Sequence, residues 1–533
     1  MFKLRHIKEQ LITTSAVLLS ITALNGHAAT ATFDPASGIV NLPVVEVLSG
    51  GSSSFYNAQL QLSGNELQLI AASPIAATTG QRNVFDSDTS AVHVAAVVVG
   101  ADEFYAKLKL VPGSNPLRFT VEQLVSNEFQ GCPGFAAAGP TAGSCVLSGE
   151  IKTNATLTKN TQWILAGGVY VGGDNTESAT LTINPGTQIF GQSGADYLWI
   201  RRGSKIMAEG TPDNPIVMSG PNQQSAGEWG GLVISGNAPV NGCNVGVAVC
   251  EVPNEAITSE IYGGNNAADN SGVLKYVQIL FAGFAVRPDE ELNGLTLNGV
   301  GSGTVIDYIH VHGGLDDGIE MFGGTVQMKH LVLTEIGDDS LDWASGWKGR
   351  AQFVLIKQST GFGDRGIEAD NNEKNHDSLP RSQPVLSNMT ILGRPDATVQ
   401  GVLLRRGTGA QIWNSVITGF PVCLMIDSAA TFANAGSPGS LSGGLTMENS
   451  YVQCAANFED GEGATFSVND WFLSQSENKA EDPLLSGYLP AGGSPLTLGG
   501  AAVTDAFFTP VDYIGAFKDA DDDWTKEWTY PFN

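Results

Sequence analysis

Residues that carry positive charge are scarce in this 533-residue chain, and so is helical periodicity. Its 27 Lys and Arg residues stand against 54 Asp and Glu residues, which gives a formal net charge of −27. A negative charge of this size disfavours binding to nucleic acid or anionic membranes, and it favours solubility and divalent cations. The sequence also lacks the spacing of a Ser/His/Asp triad and a phosphate-binding loop. A triad hydrolase or a nucleotide-binding protein is therefore not indicated.

Cysteine is also scarce, and none of the six residues has the CxxC spacing typical of a zinc or redox site. In an exported protein an even number of cysteines usually forms disulfides. The short spacings favour local links, although other pairings are formally possible. The expected pairs are Cys132 with Cys145, Cys243 with Cys250, and Cys423 with Cys454.

Residues 1–28 have the pattern of a secretory signal peptide. Basic residues come first, an apolar stretch follows, and Gly26-His27-Ala28 supplies the small residues typical of a cleavage site. The apolar stretch, residues 11–24, is too short to span a membrane. We therefore expect an exported protein without a transmembrane segment, located in the periplasm, at the cell surface or outside the cell.

Residues 29–125 alternate apolar and polar side chains as strands do, and the alternation occurs twice. Phe33-Asp34 precedes the first alternating stretch, and Phe85-Asp86 precedes the second. This pattern predicts a small antiparallel β domain of the sandwich type with an internal duplication. Residues 126–149, rich in Gly, Ala and Pro, are predicted to form a linker that contains the first Cys pair.

From residue 150 to about 480, short apolar runs are separated by Gly, Asn and Asp, and one six-residue pattern recurs. Its third position is always Tyr, His, Phe or Asn, as stacked rings or an Asn ladder require. Successive copies lie 22 to 35 residues apart, the length of one coil with surface insertions. This all-β pattern predicts a right-handed parallel β-helix. The copies begin at Leu274, Ile306, Met328, Ala351, Leu386, Ile412 and Met447.

The first predicted coils contain four motifs: Leu181-Thr182-Ile183-Asn184-Pro185-Gly186-Thr187, Lys205-Ile206-Met207-Ala208-Glu209-Gly210-Thr211, Asn214-Pro215-Ile216-Val217 and Trp229-Gly230-Gly231-Leu232-Val233-Ile234. With these motifs the chain resembles parallel β-helix proteins of the pectin-lyase-like superfamily. It is most similar to uncharacterised secreted or surface β-helix proteins of bacteria. The resemblance implies the fold and export, and it implies no particular activity.

Acidic residues recur at nearly even intervals between residues 313 and 371, with steps of 22 and then 26 residues. Adjacent coils of a β-helix lie about 4.8 Å apart, so these residues are expected to form columns. The first column is Asp316, Asp338 and Asp364. The second is Asp317, Asp339 and Arg365, and the third is Glu320, Asp342 and Glu368. Small residues between the columns, at 318, 340 and 366, are expected to form a groove.

Closely stacked carboxylates need protonation or a cation to be stable. Calcium suits hard oxygen ligands, so a Ca²⁺ site is predicted at Asp316, Glu320, Asp338, Asp342, Asp364 and Glu368. The alternative is that the Asp-Asp-Gly segments are turn devices, in which Asp side chains close turn backbones. No organic cofactor is indicated.

The columns also resemble the active site of polygalacturonases, in which an Asp on one coil precedes an Asp pair on the next. Asp317, Asp338 and Asp339 match this arrangement, which implies acid and base roles in glycan hydrolysis. Gly363-Asp364-Arg365-Gly366 stands where that family has Gly-His-Gly, and Arg405-Arg406 only loosely replaces its Arg-Ile-Lys. In a polysaccharide lyase the base would instead be Arg365, Lys348 or Arg406. The predicted catalytic residues, if the chain is an enzyme, are Asp317, Asp338, Asp339, Arg365 and Arg405.

Two functional hypotheses follow. The first is an exported protein that binds a polysaccharide or another cell-surface partner along its coils, stabilised by calcium. The second is a polysaccharide-degrading enzyme, either a hydrolase or a lyase. Candidate sugar-binding residues are Trp343, Trp347, Lys348 and Arg406. The polar insertion at residues 369–377 lies next to the columns, either as a lid or as an ordinary exposed loop.

The last residues, 481–533, are rich in aromatic side chains. Because the open end of a solenoid must be covered, we expect this segment to cap the last coil with its Trp residues. The acidic run at residues 519–523 lacks the Gly and Glu positions of an EF-hand loop, which favours a solvated turn.

Overall fold

The computed structural model describes residues 30–532 except 51, 245, 288 and 289, so the predicted signal peptide lies outside the described residues. The chain divides into two compact units. The first extends to Gly131 and includes two short segments, Thr158–Thr161 and Thr211–Asn214. The second contains the remaining residues from Cys132 onward.

The first unit is an almost entirely antiparallel sheet. Its described strands are β1 (Ala31–Asp34), β2 (Ile39–Ser49), β3 (Ser52–Ser63), β4 (Glu66–Ile75), β5 (Asn83–Asp86), β6 (Ala91–Val99), β7 (Asp102–Leu110) and β8 (Arg118–Ser126). They lie in the order β1-β2-β3-β4-β8-β7-β6-β5. Alternate side chains, such as Leu42, Leu60 and Phe85, form its core.

This sheet curls back on itself, because β1 also pairs in parallel with β6 and β2 with β5. The two parallel pairings are equivalent, because in each the short first strand of one half of the unit pairs with the long second strand of the other half. The strands therefore form one continuous sheet, whereas the sequence suggested the two separate sheets of a sandwich. Strand alternation alone does not show which edges meet, because both arrangements bury one face of each strand.

The second unit is a parallel β-helix whose coils form three parallel sheets, here called A, B and C. Five long strands contribute to both A and B, and two contribute to both B and C. Sheet A contains Ala155–Leu157, Thr180–Ile183, Lys205–Glu209, Ala410–Trp413 and Leu445–Glu448. Sheet B contains Gln188–Gly191, Ile216–Ser219, Val416–Thr418 and Tyr451–Gln453. Sheet C contains Tyr197–Ile200, Gly231–Ser235, Leu295–Asn298, Ile319–Phe322, Leu341–Ala344, Ile367–Ala369, Gln400–Leu404, Val422–Ile426 and Ala456–Asp460.

The strands shared by A and B are Gly272–Leu280, Val305–His312, Gln327–Thr334, Arg350–Lys357 and Val385–Leu392. Those shared by B and C are Ser144–Ile151 and Gln162–Val171. The first of these lies partly within the predicted linker, so the solenoid begins earlier than residue 150. Short additional strands are Ala137–Ala138, Val252–Pro253, Ile261–Tyr262, Ala285–Arg287, Glu290–Glu291, Gly436–Ser437, Ser440–Leu441, Leu485–Ser486 and Leu489–Pro490. Helical segments among the described residues are Ala429–Ala435, Val468–Leu473 and the 3₁₀ turn Pro495–Thr497.

The recurring six-residue pattern is the bend between sheets A and B. Its third residue has a positive φ in each of the seven copies, from 49° at His330 to 61° at Phe353. Ring centroids are 4.3 Å apart between Tyr276 and Tyr308, and 4.1 Å apart between Tyr308 and His330. Three Asn residues continue the column, here called the bend ladder. Stacking and hydrogen bonds between these side chains thus stabilise a backbone conformation that L residues rarely adopt. The ladder is Tyr276, Tyr308, His330, Phe353, Asn388, Asn414 and Asn449.

The sequence suggested that the C-terminal segment caps the last coil. In the structure this segment runs back along the bend ladder instead. Asn449 donates a hydrogen bond to the carbonyl of Gly499, and Asn414 exchanges two with Ala501. Further along, Trp528 lies edge-on to Tyr276. The last coil is instead covered by Val468–Leu473, whose Trp471 and Phe472 belong to the core. The ladder presents rings at one end and Asn amides at the other, and the tail packs on the rings and forms hydrogen bonds with the amides.

The three disulfides expected from neighbouring cysteines are all present: Cys132–Cys145, Cys243–Cys250 and Cys423–Cys454. Next to the first of them, Phe135 stacks on Trp163 over the first coil, with ring centroids 6.1 Å apart. Disulfides fit a protein that works in an oxidising compartment.

Candidate functional site

The third acidic column lies on sheet C. Glu320, Asp342 and Glu368 occupy equivalent positions in adjacent parallel strands. The preceding residue on each strand, Ile319 and Leu341 among them, is fully buried in the core. Because side chains alternate along a strand, the acids lie on the outer face of the sheet. The even repeat in the sequence predicted this register.

The second column lies in the turn before sheet C and forms a hydrogen-bonded ladder. The backbone amide of Asp339 donates to Oδ1 of Asp317 at 2.9 Å, and the amide of Arg365 donates to Oδ1 of Asp339 at 2.7 Å. Both Asp residues are buried, with exposed fractions of 6% and 4%. Each carboxylate therefore satisfies a backbone donor of the next coil, as the turn interpretation of these residues required.

The groove expected between the columns does not form at residues 318, 340 and 366. Gly318 and Ser340 are buried, and a Cβ added to Gly318 would lie 2.5 Å from the Ser340 carbonyl oxygen. The coils therefore pack backbone against backbone at these positions. Small residues here allow close packing of successive turns, and they leave no space for a ligand.

An open cleft of about 840 Å³ lies on the other side of the third column. Glu320, Asp342 and Glu368 line its floor, and Phe322 and Ala344 lie two positions further along the same strands. Asp370, Arg405 and Arg406 line one end of the cleft. The cleft is thus bordered by the third column alone, since neither the first nor the second column lines it.

Two insertions form the walls of the cleft: a loop around residues 239–250, which contains the Cys243–Cys250 disulfide, and a loop at residues 372–380. Asn241 connects them, because its Nδ2 donates to Oδ1 of Asn371 at 2.8 Å and to the carbonyl of Pro380 at 3.1 Å. Asn372 donates back to Oδ1 of Asn241 at 3.1 Å. The predicted lid is therefore part of a wall that hydrogen bonds hold in place.

Sequence reasoning assigned no role to Asn241, and it considered Asp370 only as part of the insertion at residues 369–377. The two insertions are separated by more than 120 residues, and only the register of the coils brings them together. The one available signal was the close Cys243/Cys250 pair, which indicated an ordered surface loop without showing what it faces.

Basic residues at one end of the cleft are already paired with acids. Arg405 contacts Glu368 directly and Asp370 at 2.9 Å, measured from Nε to Oδ1. Arg406 lies 2.8 Å from Asp370 and 3.6 Å from Glu373. Outside the cleft, Arg365 contacts Asp364 at 2.7 Å and Glu368 at 3.3 Å. The predicted cationic residues are therefore mostly ion-paired groups.

Burial raises the pKa of four carboxyls well above their ordinary range, and the neighbouring carboxylates raise it further. These are Asp317, Glu320, Asp339 and Asp342. Burial also raises the pKa of Glu368, although Arg405 lowers it. Asp338 is exposed at its surface, yet partial desolvation of its carboxyl and repulsion from Asp364 raise its pKa as well. Six like charges on three adjacent coils oppose one another's ionisation, as expected for closely spaced acids.

Asp342 is the least satisfied of these acids. Its side chain is buried and lines the cleft, and its Oδ1 has no hydrogen-bond partner among the described residues. A buried carboxylate oxygen without a donor costs free energy, and this cost favours the neutral form of Asp342.

The acids form four groups in which ligand atoms lie within 4.8 Å of one another. Two groups lie on the turn side and share Asp338. One also contains Asp316 and Asp317, and the other also contains Asp339 and Asp364. Asp342 belongs to the two on the cleft side, with Asp317 and Glu320 and with Asp339 and Glu368. Carboxylate oxygens at these separations could hold a hard divalent cation, and nothing in the geometry selects Ca²⁺ in particular.

Trp343 and Trp347, predicted to stack on sugar rings, are instead fully buried in the core. Their indole groups donate to Thr408 and to the carbonyl of Val326. Lys348 is exposed but does not line the cleft. The prediction for the two Trp residues was wrong because alternation on sheet C directs Trp343 inward between two outward positions.

Residues 149–482 match a family described as pectate-lyase like beta helix domain. No curated protein matches the chain. Two solved structures of tailspike protein 2 match the chain at low identity. Its enzymatically active domain, from bacteriophage CBA120, is 12% identical over 70% of this chain and 50% of that one, with a TM-score of 0.24.

The full-length tailspike protein 2, from an Escherichia coli O157:H7 bacteriophage, is 11% identical over 86% of this chain and 62% of that one, also with a TM-score of 0.24. The chain thus spans half to somewhat under two thirds of these structures. Neither likeness bears on what this chain binds. Among the described residues, no helix is long and apolar enough to cross a membrane.

Proposed function

Because the chain belongs to the pectate-lyase-like β-helix family, we propose that it is an exported protein that binds a polysaccharide in the cleft over sheet C. The cleft itself carries this proposal. It is long enough to cross several coils, it is open, and its two walls are joined by the Asn241 hydrogen bonds. A site formed before binding loses little entropy when a flexible chain enters it.

A divalent cation such as Ca²⁺ is proposed on the turn side of the columns, where Asp338 is exposed and shared by two acidic groups. Asp317 and Asp339 each use only one carboxylate oxygen for the amide of the next coil. The other oxygens would serve the cation, which would neutralise charges that the fold brings together. The predicted ligands Glu320, Asp342 and Glu368 would then remain available in the cleft.

Filling the cleft tests the binding proposal. Ala344→Trp places a large side chain on the cleft floor, and Ala456→Trp places the same side chain at an exposed position of sheet C outside the cleft. We expect isothermal titration with a panel of neutral, acidic and amino polysaccharides to find a ligand for the wild type. Ala344→Trp should abolish that binding and Ala456→Trp should preserve it. Equal binding by both variants would contradict the proposal.

Thermal melting in Ca²⁺ and in chelator tests the cation. We expect Ca²⁺ to raise the melting temperature of the wild type, since a ligand that binds only the folded state stabilises it. Asp338→Asn should remove this shift, whereas Asp396→Asn, at a partly exposed carboxylate outside the columns, should retain it. A shift lost in Asp342→Asn but not in Asp338→Asn would place the cation in the cleft instead.

The alternative function is polysaccharide cleavage. It is favoured by the raised pKa values of Glu320, Asp342 and Glu368 on the cleft floor, which suit a general acid. Glu320 and Glu368 lie two strand spacings apart, about 9.6 Å, near the separation of the two carboxyls in inverting glycosidases. Release of reducing ends or of unsaturated uronate from the bound polysaccharide, lost in Glu368→Gln, would support this function. Asp317 and Asp339, which the sequence predicts as catalytic acids, are less suited, since both bind backbone amides.

A further inference from the structure

Charge is unevenly distributed along the cleft. Among the described residues, seven acidic and three basic side chains line it. The arginines are concentrated at the end formed by Asp370, where Arg405 and Arg406 pair with acids. Because these guanidinium groups are engaged, they offer little attraction to an anionic ligand, and the cleft as a whole repels one.

The opposite end of the cleft contains acids without a basic partner. In the described part of the chain, neither Glu320 nor Asp342 forms an ion pair. Glu320 accepts one hydrogen bond, from Nδ2 of Asn293 at 2.7 Å. Asp342 has a buried side chain whose Oδ1 accepts none. These two residues are adjacent in register on neighbouring strands, so their side chains lie side by side on the cleft floor.

Apolar surface lies next to this acidic pair. Phe322 and Ala344 follow Glu320 and Asp342 by two positions and line the same cleft. Val240, from the wall loop, packs with Phe322 and also lines the cleft. A ligand at this end therefore meets carboxylate oxygens on one side and carbon atoms on the other. A sugar ring that carries an amino group presents both kinds of surface.

We propose that the cleft selects a glycan whose sugars carry free amino groups, with an ammonium group bound between Glu320 and Asp342. An ammonium group has three donors, which would bridge the carboxylates of Glu320 and Asp342 and pair two groups that otherwise repel each other. The ring carbons would pack on Phe322 and Ala344. This inference rests on the proposed function, because it names the class of polysaccharide that the same cleft would take.

Titration calorimetry in chelator with three matched oligosaccharides tests the inference: a glucosamine tetramer, its fully N-acetylated form and a galacturonate tetramer. We expect the glucosamine tetramer to bind at least about tenfold more tightly than either of the others, because only it supplies ammonium donors. Asp342→Asn and Glu320→Gln should each weaken its binding about tenfold or more. Glu477→Gln removes one charge at a largely exposed site outside the cleft and should leave binding unchanged.

The outcomes separate the two proposals. Tighter binding of the N-acetylated or galacturonate tetramer, blocked by Ala344→Trp, would overturn the amino-sugar inference and retain the glycan-binding function. Glucosamine binding that survives both Asp342→Asn and Glu320→Gln would show attraction to the acidic surface in general, and would also overturn it. Failure of all three tetramers and of the polysaccharide panel would overturn the glycan-binding function itself. Circular dichroism of each variant excludes loss of folding as the cause.

Discussion

The bend ladder and the third acidic column are both produced by the register of the same coils, yet they behave oppositely. In the ladder, Tyr308 stacks on Tyr276 and His330 at 4.3 and 4.1 Å, and Asn residues continue the series. In the acidic column, Glu320, Asp342 and Glu368 repeat at the same strand spacing, and burial and nearby carboxylates raise the pKa of each. Both series are in register, but only one consists of groups that attract one another.

The difference shows how repetition in a solenoid is to be interpreted. Stacked neutral rings and amides gain dispersion and hydrogen bonds, so a ladder of them stabilises the coil. Stacked carboxylates lose hydration and repel, so a column of them destabilises the coil unless something neutralises it. We infer that the ladder serves stability and that the acidic column serves binding. The following variants test this division.

The largest effect is expected where the tail covers the ladder. Trp528 is 1% exposed and lies edge-on to Tyr276 and Tyr308. Trp528→Ala should lower the free energy of unfolding of the solenoid by about 3–5 kcal/mol, measured by denaturant unfolding. Leu498→Ala, at a tail residue that is 69% exposed, is the control and should change it by less than about 0.5 kcal/mol. Similar values for the two variants would show that the tail does not stabilise the ladder.

A smaller effect is expected within the ladder itself. Asn414 has a φ of 50° and exchanges two 2.8 Å hydrogen bonds with Ala501. Asn414→Ala should cost about 2–3 kcal/mol, since it strains the backbone and leaves buried groups unpaired. Asn414→Gly tolerates the positive φ and loses only the hydrogen bonds, so it should cost less. If the Gly variant cost more, the backbone argument would be wrong.

The acidic columns should make stability depend on pH. Asp317, Glu320, Asp339 and Asp342 have pKa values in the folded protein well above their ordinary values. The folded state therefore binds more protons than the unfolded state, and stability falls as pH rises toward the raised pKa values. In chelator, the free energy of unfolding should therefore fall as the pH is raised above about 6.5.

Two histidines have the opposite effect on the pH dependence of stability, and they exert it at lower pH. Burial lowers the pKa of His310 well below its ordinary value and that of His312 to about 4. The stability that the two histidines contribute is fully present above about pH 6.5. Above that pH, a change in the free energy of unfolding therefore reports on the acids alone. Ca²⁺ should restore stability most at the alkaline end. A free energy of unfolding that stays flat or rises over this pH range would contradict the role assigned to the columns.

The smallest effect is expected from removing one acid of the third column. Asp342→Asn keeps the shape of the side chain and removes its charge, so it should raise the free energy of unfolding by about 1 kcal/mol at pH 8 in chelator. It should also flatten the pH dependence. Glu477→Gln, at a largely exposed carboxylate, should do neither. Destabilisation by Asp342→Asn would mean that its charge is satisfied within the folded protein.

Several features of the fold were predictable because they repeat. The bend pattern that begins at Leu274 and Ile306 predicted both the coils and the column of stacked side chains. The spacing of Glu320, Asp342 and Glu368 predicted their register, since each insertion leaves the strands in phase. The local disulfides were predictable for a different reason, namely that their cysteines are close in sequence.

The site was only partly predictable. The sequence identified the acids, but it placed the groove at Gly318 and Ser340, where the turns pack closely. It also assigned Trp343 and Trp347 to a sugar-binding surface, although both are core residues. These errors concern which side of a column faces solvent, and that depends on the insertions packed around it.

The sequence by itself therefore determined the parallel coils, their stacked columns, the excess of acid and the three disulfides, because each depends on periodicity, composition or short separation along the chain. Tertiary structure alone decided where the cleft lies, which acids line it, and where the tail packs. Asn241 meets Asn371 across 130 residues, and Trp528 meets Gln278 across 250. Contacts between segments so far apart follow from the number of coils that separate them and from the shapes of the insertions, and no local pattern encodes either.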